Sequence, residues 1–201
     1  MSVESPKRGL VVSYFGHSVA VKTASRQVLQ CHLRRNQPVP VVGDWVKFEE
    51  DNSGSGHVLE IEPRRSVLMR GDGRGDSKPL AANLDVMVIV MAPKPIFSDY
   101  LVDRYLVAAH LLHLKPYLVI NKTDLLSEAA LLEQKAEIAP YERAGYAVYF
   151  TSAIAPAGVQ NLAQGLAKQT AVLVGPSGVG KSSIIAALTH DAIRVGEVSA
   201  K

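Results

Sequence analysis

Apolar and polar residues follow one spacing up to about residue 75 and a different spacing after it. In the first part, short runs rich in β-branched and aromatic residues predict five strands, at Leu10–Phe15, His17–Thr23, Gln27–Arg35, Asp44–Phe48 and His57–Glu62. Within the third run, Leu29, Cys31 and Leu33 alternate with polar residues and are predicted to face a core. Five short strands are typical of a small barrel of the oligonucleotide/oligosaccharide-binding (OB) type, although an SH3-like barrel fits the same pattern.

From residue 84 onward, apolar runs of strand length alternate with helical periodicity. Leu84–Ala92 is a nearly continuous apolar run, which is typical of a parallel strand buried on both faces. A helix capped by Ser98 or Asp99 is predicted to run to Leu114, with one face formed by Leu101, Tyr105, Ala108 and Leu112.

The rest of the chain continues this alternation of strands and helices. A helix capped by Ser127 is predicted to end near Gly145, with a break at Pro140, and another helix begins at about Lys181. Further strands are predicted at Pro116–Ile120, Ala147–Phe150 and Ala171–Val174. This order indicates an open parallel α/β sheet with flanking helices.

We therefore predict two domains, an OB-type barrel over residues 1–75 and the α/β sheet over residues 76–201. Between them, Arg70–Ser77 (RGDGRGDS) has three glycines and few apolar residues, so we interpret it as a flexible linker or mobile loop. The Arg-Gly-Asp tripeptide occurs in it twice. We reject a cell-adhesion role, because tripeptides recur by chance and the sequence shows no export signal.

A phosphate-binding loop is predicted directly after the strand Ala171–Val174. Gly175–Ser182 (GPSGVGKS) matches G-x-x-x-x-G-K-[ST] at every fixed position, although a glycine-rich turn before a helix is the alternative. Glycines let the backbone wrap around phosphate oxygens, and the following helix directs its partial positive charge at them. Lys181 is predicted to reach the β- and γ-phosphates, and Ser182 to bind Mg²⁺. The predicted nucleotide contacts are Gly175, Pro176, Ser177, Gly178, Val179, Gly180, Lys181, Ser182 and Ser183.

A guanine-reading motif, Asn121-Lys122-Thr123-Asp124, follows the strand Pro116–Ile120. The carboxylate of Asp124 can accept hydrogen bonds from N1–H and the 2-amino group of guanine, whereas adenine would leave it unpaired. Asn121 can hydrogen-bond the N7 edge of the base, and the aliphatic stem of Lys122 can cover the ring. Without the phosphate loop, an ordinary strand-to-helix turn would explain these residues equally well.

A third element, Thr151-Ser-Ala153, follows the next strand, Ala147–Phe150. A backbone N–H near Ala153 is predicted to donate to guanine O6, and Ser152 and Ala153 are counted among the nucleotide contacts. In isolation such a short segment is an ordinary turn. Its place after the next strand along the chain favours the nucleotide site.

The distribution of charge, the single cysteine and the length of the apolar runs indicate the kind of partner and the cellular compartment to expect. The net charge of +3 lies in the first part, since residues 1–80 hold 12 Lys/Arg and 9 Asp/Glu while residues 81–201 hold 10 of each. This favours a polyanionic partner there, with an ordinary solvated surface as the alternative. The single cysteine, Cys31, is typical of a reducing cytoplasm. The longest apolar run, Val86–Ala92, is too short to span a bilayer, so no membrane partner is expected.

The guanine motif precedes the phosphate loop, which is the reverse of the order in ordinary small GTPases. Since the pocket needs strand ends that are adjacent in space and not in sequence, a circular permutation leaves it intact. This order behind a small barrel resembles the circularly permuted ribosome small subunit-dependent GTPase A family of bacteria. The resemblance covers nearly the whole chain and rests on both nucleotide motifs together with Gly43–Val46 (GDWV), Ala82–Asp85 (ANLD) and Asp103–Leu106 (DRYL).

The resemblance implies a GTPase, expected to be monomeric, that binds GTP or GDP with Mg²⁺ and docks on the small ribosomal subunit late in its assembly. It further implies hydrolysis stimulated by the ribosome and a barrel that contacts ribosomal RNA. The candidate RNA contacts are then Arg34, Arg35, Arg64, Arg65, Arg70 and Arg74. For each of them an ordinary solvated arginine is the alternative.

Family members continue beyond the position of Lys201 with the switch regions and a C-terminal zinc domain. The resemblance therefore assigns no catalytic residue and no zinc ligand in this sequence, and we expect the GTPase domain to be incomplete at its C-terminus. The strand Ala171–Val174 is then expected to present an open hydrophobic edge. The sequence also has Ile154 after Ala153, where many GTPases have a lysine.

Three functions are compatible with these residues. The leading hypothesis is a GTP-hydrolysing factor for assembly of the small ribosomal subunit. The second is a nucleotide- and RNA-binding module without turnover, because the hydrolytic switches lie outside the sequence. The third is an adenine-specific ATPase in which Asn121–Asp124 is a simple turn.

Overall fold

The computed structural model describes residues 5–35, 37–51, 54–71, 77–94, 98–152 and 156–189. The chain divides into two compact units, Met1–Leu84 and Asp85–Lys201. Each unit has its own cluster of buried apolar side chains. The division lies after residue 84 and not after residue 75, because the strands Val67–Gly71 and Ser77–Ala82, which flank and overlap the predicted linker Arg70–Ser77, belong to the first unit.

The first unit contains a closed five-stranded barrel. Its strands are β1 (Lys7–Tyr14), β2 (Ser18–Thr23), β3 (Val28–His32), β4 (Trp45–Glu50) and β5 (Gly56–Ile61). They follow the order β1-β2-β3-β5-β4, with β4 closing onto β1 and with β3 and β5 paired in parallel. The five predicted strands and the OB-type barrel are confirmed.

The barrel is filled by residues from alternate positions of its strands. Cys31 is fully buried, and Leu29 and Leu33 pack against the same cluster, as the alternation of the third strand predicts. Burial raises the pKa of the Cys31 thiol to about 11, so it is protonated at neutral pH. The other buried members are Val11, Val19, Val21, Val46, Phe48 and Val58.

A hairpin follows the barrel, made of β6 (Val67–Gly71) and β7 (Ser77–Ala82) paired antiparallel. The interpretation of Arg70–Ser77 as a linker is therefore wrong at both ends, since Arg70 pairs with Lys78 and Gly71 with Ser77. Residues 72–76, which include the candidate RNA contact Arg74, lie outside the described residues. A glycine-rich segment between two apolar runs forms a turn as readily as a linker, and composition does not separate the two.

The hairpin is fastened to the barrel by Gly43 and Asn83. Gly43 has φ +94°, and a Cβ at this position would lie 2.0 Å from the carbonyl oxygen of Ala82. The buried amide of Asn83 donates to the Gly43 carbonyl at 2.9 Å and accepts from the Arg65 backbone N–H at 2.8 Å. Two of the short segments that support the family resemblance, GDWV and ANLD, therefore meet at one structural junction.

Next to this junction, Asp44 is fully buried and paired with Arg64. The guanidinium donates to both carboxylate oxygens at 2.8 Å, and the Val41 backbone N–H donates to one of them at 2.8 Å. The hydrogen bond to Asp44 raises the pKa of Arg64. Because both oxygens are satisfied, the pair avoids the high cost of a buried charge without a partner.

The second unit is an α/β sheet with strand order β10-β9-β8-β11, all parallel. All six residues of β8 are buried, as predicted for a central parallel strand. No helix in the described ranges is long and apolar enough to cross a membrane. The elements in chain order are β8 (Val86–Met91), α1 (Asp99–Leu111), β9 (Lys115–Ile120), α2 (Glu128–Arg143), β10 (Ala147–Phe150), α3 (Pro156–Gly165), β11 (Ala171–Val174) and α4 (Lys181–Thr189).

The sequence prediction for the face of α1 that packs against the core is wrong, because the predicted positions are shifted by one residue from the buried ones. The buried positions are Val102, Leu106 and Ala109, whereas the predicted positions are only half-buried. Each predicted residue has an apolar neighbour one place later, except at the end of the helix, so periodicity alone cannot choose between the two stripes.

In α2, the Ser127 cap and the Gly145 terminator are confirmed. The Ser127 hydroxyl accepts from the Ala130 backbone N–H at 3.3 Å, and Gly145 has φ +90° just after the helix. The expected break at Pro140 is not observed, because this residue lies in the last turn of a helix that continues to Arg143.

We expect Asp44→Ala to destabilise the barrel by about 3 kcal/mol, because it leaves the Arg64 charge without its carboxylate. The matched control is Glu60→Ala, which removes an exposed partner of Lys47 and should cost less than about 1 kcal/mol. The single tryptophan, Trp45, lies in β4, so its fluorescence during urea unfolding reports on the barrel. Equal midpoints for the two variants would contradict the assigned role of Asp44.

Candidate nucleotide-binding site

The described residues of the predicted nucleotide motifs lie at one edge of the second unit. The registers Val174↔Ile89, Ile120↔Met91 and Phe150↔Ile120 show that the four parallel strands end at nearly the same level. Each motif follows directly from the carboxyl end of its strand, which is where open α/β sheets bind ligands. The fold therefore brings the two motifs together, as their sequence positions predict.

The phosphate-loop segment has the backbone that its glycines predict. Gly175, Gly178 and Gly180 have φ values of +139°, +82° and +92°, which disfavour residues with a side chain. The loop leads into α4 at Lys181, so the amides of Lys181, Ser182 and Ser183 form the first turn of a helix. Such a terminus carries unpaired N–H groups and a partial positive charge, which together favour an anion.

The Lys181 side chain folds back along its own loop. Its ammonium group donates to the carbonyl oxygens of Gly175 and Pro176 at 2.9 and 2.8 Å. These contacts hold the positive charge beside the helix N-terminus. Ser177 and Gly178 at the tip of the loop are exposed, whereas Val179 is buried.

Two side chains of the guanine motif bind the phosphate loop directly. Asn121 is 1% exposed, and its amide nitrogen donates to the Val179 carbonyl at 2.9 Å. Lys122 has a left-handed backbone with φ +60°, and its ammonium group donates to the Gly178 carbonyl at 2.5 Å. The two motifs are thus one assembly and not two neighbouring turns.

Asp124, the last residue of the motif, lies in a short 3₁₀ turn, Thr123–Leu125. Its side chain is at the surface, and one carboxylate oxygen accepts from the hydroxyl of Ser152 at 2.5 Å. Ser152 itself is 3% exposed. The contact orients a carboxylate that solvent reaches, and this is the arrangement that binding to the edge of a base requires. Ala153 lies outside the described residues, so its predicted backbone contact is not tested.

Thr151 is the residue that sequence reasoning missed, since it was noted only as the start of the third segment. It is fully buried, and its hydroxyl donates to the Asn121 amide oxygen at 3.0 Å. Its carbonyl accepts from both the backbone N–H and the hydroxyl of Thr123, each at 3.2 Å. The contact depends on the register of β9 and β10, in which Phe150 pairs with Ile120, so no spacing along the sequence indicates it.

The arginines predicted to contact RNA differ in whether other residues of the first unit already bind their side chains. Arg64 is committed to Asp44, which argues against its predicted contact with RNA. Arg65 lies near the Asn83 carbonyl, with an N···O distance of 3.4 Å. Arg34, Arg35 and Arg70 are exposed.

Comparison with known proteins identifies relatives of both units. The model of the RsgA GTPase family matches residues 61–201. A small ribosomal subunit biogenesis GTPase RsgA of Azotobacter vinelandii is 43% identical over 198 residues, which is 96% of this chain and 58% of the relative. The protein of the same description from Pseudomonas aeruginosa strain PAO1 is 42% identical over 192 residues, which is 95% of this chain and 57% of the relative.

Two solved structures have the same fold. The crystal structure of YjeQ from Thermotoga maritima has a TM-score of 0.77 and 31% identity, and the match covers 92% of this chain and 66% of YjeQ. YloQ, described as a circularly permuted GTPase, has a TM-score of 0.73 and 29% identity over 90% of this chain and 64% of YloQ. The chain thus spans a little under three fifths of the curated relatives it matches.

We expect Gly180→Ala to destabilise the second unit by more than about 2 kcal/mol. A Cβ at this position would lie 2.3 Å from the Asn121 amide nitrogen, in addition to the strain of φ +92°. Gly145→Ala is the matched control, since it has φ +90° but nothing within 4 Å, and should cost about 1 kcal/mol. Urea unfolding followed by helical circular dichroism measures both. A loss for Gly180→Ala no larger than that of the control would show that the close approach does not matter.

Proposed function

The chain belongs to the RsgA GTPase family, and we propose that it binds and hydrolyses GTP during maturation of the small ribosomal subunit. One observation carries the proposal above all others. The residues suited to guanine, Asn121 and Lys122, are hydrogen-bonded to the loop suited to phosphate, at Val179 and Gly178. A ligand that fits both parts is a purine nucleotide with its phosphates at the start of α4.

Guanine is selected by groups that adenine cannot match. The carboxylate of Asp124, oriented by Ser152, accepts from N1–H and the 2-amino group of guanine. Adenine has an acceptor at N1 and no amino group at C2, so it would leave this carboxylate without partners. Asn121 donates to N7, the stem of Lys122 covers the ring, and a backbone N–H near Ala153 donates to O6.

The phosphates are bound by the loop and by the first turn of α4. The positive-φ glycines leave no Cβ in the way of a phosphate, and the Lys181 ammonium group is already held beside the loop. Ser182, in the first turn of α4, is the residue that would hold Mg²⁺. Held there, the ion would supply positive charge that offsets the negative charge of the phosphates.

The small ribosomal subunit and its RNA are the proposed partners, since the curated relatives are described as small ribosomal subunit biogenesis GTPases. The basic residues of the barrel differ in whether they form ion pairs, and this difference indicates which of them contact the RNA. Three basic residues of β1 and β4 form ion pairs with acidic residues of β4, of β5 and of the position just after β5: Lys7 with Glu50, Lys47 with Glu60 and Arg8 with Glu62.

The two arginines that follow β3 differ from these residues in their ion pairing. Among the described residues, Arg34 and Arg35 form no ion pair with an acidic side chain, and both are exposed. Unpaired cations release counterions when they meet a phosphate backbone, whereas paired ones must first leave their carboxylates. We therefore propose Arg34 and Arg35 as the principal RNA contacts, with Arg65, Arg70 and Arg74 as further candidates.

We propose a cytoplasmic location, because Cys31 is a free buried thiol and such thiols persist in reducing compartments. A monomeric state stays a prediction, and light scattering of the purified chain tests it.

Phosphate release from GTP and ATP, with and without purified small ribosomal subunits, tests the proposed activity. We expect release from GTP that rises when subunits are added, and little release from ATP. Tight GTP binding without release would favour the second function, a nucleotide- and RNA-binding module without turnover. Equal affinity for GTP and ATP would contradict the assignment of a guanine site.

In titrations that measure nucleotide affinity, Asp124→Asn should weaken GTP binding and improve binding of xanthosine triphosphate. Xanthine has an acceptor where guanine has the 2-amino donor, so an amide matches it and a carboxylate does not. We expect a loss of about tenfold or more for GTP, equivalent to a hydrogen bond to a charged group. A variant that keeps the wild-type preference would show that Asp124 does not read the base.

The RNA contact is tested by replacing both Arg34 and Arg35 with alanine. Binding to small ribosomal subunits should weaken, and the slope of log affinity against log salt should fall by roughly 2, about one for each lost phosphate contact. The double variant Lys7→Ala with Lys47→Ala removes the same charge from residues that have carboxylate partners and should change the slope little. Equal effects of the two double variants would indicate a general charge effect and remove the assignment.

A further inference from the structure

Two exposed histidines lie side by side on the outer surface of the barrel. His32 of β3 and His57 of β5 are register partners in parallel strands, and the centroids of their rings are 5.8 Å apart. Their chain neighbours Cys31 and Val58 are buried in the barrel core, so both imidazoles are on the outward side of their strands. The pair belongs to the first unit, whereas the nucleotide motifs lie in the second.

Charged and polar groups face this pair from the neighbouring elements. On one side, Glu49 of β4 is the register partner of His57, and the Asp51 carboxylate, just after β4, lies 3.9 Å from the Nε2 atom of His57. On the other side, Ser18 of β2 is the register partner of His32. The surface around the two rings therefore carries two carboxylates whose charge does not change near neutral pH.

The arginines proposed above to contact RNA begin two residues after His32. Between them, Leu33 packs against the barrel core and donates its backbone N–H to the carbonyl of His17 at 3.2 Å. His17 therefore lies beside the end of β3, next to Arg34 and Arg35, and all three are exposed. This end of the barrel thus brings imidazole groups close to the proposed RNA contacts.

The charge of the imidazoles decides whether this surface attracts or repels a phosphate. Histidine changes charge between pH 5 and 8. With both rings neutral, Glu49 and Asp51 leave the surface negative. With both rings protonated, their charges offset the two carboxylates, but the rings then repel each other across 5.8 Å. A phosphate group placed against them relieves this repulsion, so binding of phosphate and binding of protons favour each other.

We propose that His32 and His57 form a proton-dependent part of the RNA contact, which binds phosphate groups of the RNA when the imidazoles are protonated. This inference rests on the proposed function, because it takes RNA as the partner of the barrel. Arg34 and Arg35 carry their charge at every physiological pH, whereas the histidine pair adds to the contact as the pH falls.

The experiment measures the affinity of the whole chain for purified small ribosomal subunits at pH values of about 6, 7 and 8, the range in which histidine titrates. Co-sedimentation at constant salt and Mg²⁺, with one non-hydrolysable GTP analogue present throughout, gives the affinities. We expect wild-type affinity to rise about fivefold or more from the highest pH to the lowest. The slope of log affinity against log salt should also be steeper at the lowest pH, by roughly one to two phosphate contacts.

Two double variants replace the pair. His32→Gln with His57→Gln keeps polar side chains that do not titrate, and should remove most of the rise while leaving affinity at the highest pH within about twofold of the wild type. His32→Lys with His57→Lys is positively charged throughout and should bind tightly at every pH. The matched control, His110→Gln with His113→Gln, makes the same exchange at two exposed histidines of the second unit and should follow the wild type.

The outcomes distinguish this inference from the function on which it rests. Fluorescence of Trp45 during urea unfolding first shows that each variant is folded. A folded glutamine variant of the pair that keeps the wild-type rise overturns the inference, and so does a control variant that loses the rise equally. A wild type that binds subunits with the same affinity at every pH overturns it as well and leaves the arginine contacts in place. A wild type that binds no subunits at any pH contradicts the proposed function itself.

Discussion

The site depends on one buried group, the side-chain amide of Asn121. Its nitrogen binds the phosphate loop at Val179, and its oxygen takes the hydroxyl hydrogen of Thr151. Three strand ends thus meet at a single side chain that water cannot reach, where a hydrogen bond is stronger and an unmade one is more costly. The shape of the phosphate loop is therefore set partly by the segment proposed to read the base, 58 residues earlier in the chain.

These hydrogen bonds between separate loops explain how a permuted chain order can form the same kind of pocket as an unpermuted one. Among the described strands of the unit, the last, β11, pairs with the first, β8, and β9 and β10 continue the sheet on the opposite side of β8. All pairs are parallel, so every strand delivers its following loop to the same edge. The contacts that matter are made across this edge, and covalent connection between the motifs is not needed for any of them.

The sequence predicted what repeats regularly or follows a fixed spacing. The strands of the barrel, the buried strand β8, the glycine loop and the Asn121 turn all have local patterns that tertiary contacts reinforce. It did not predict α3 or the β6–β7 hairpin, where short apolar runs and clustered glycines fit more than one element. Thr151 was missed for a different reason, because its importance comes from a neighbouring strand in the fold and no spacing along the chain records that neighbour.

The basic residues of the first unit are a second case in which the sequence does not reveal the partners of a side chain and the structure does. The sequence predicts an excess of basic residues in the first part but cannot say which of them have partners. In the structure, a hydrogen bond from Arg8 lowers the pKa of Glu62, and Arg8 also lies over the ring of Trp45. Arg64 is bound to a buried carboxylate. Cross-strand pairing therefore offsets the charges of Lys7, Arg8 and Lys47, whereas no ion pair among the described residues involves Arg34 or Arg35. A modest net charge attracts a polyanion more strongly where its exposed cations have no carboxylate partner.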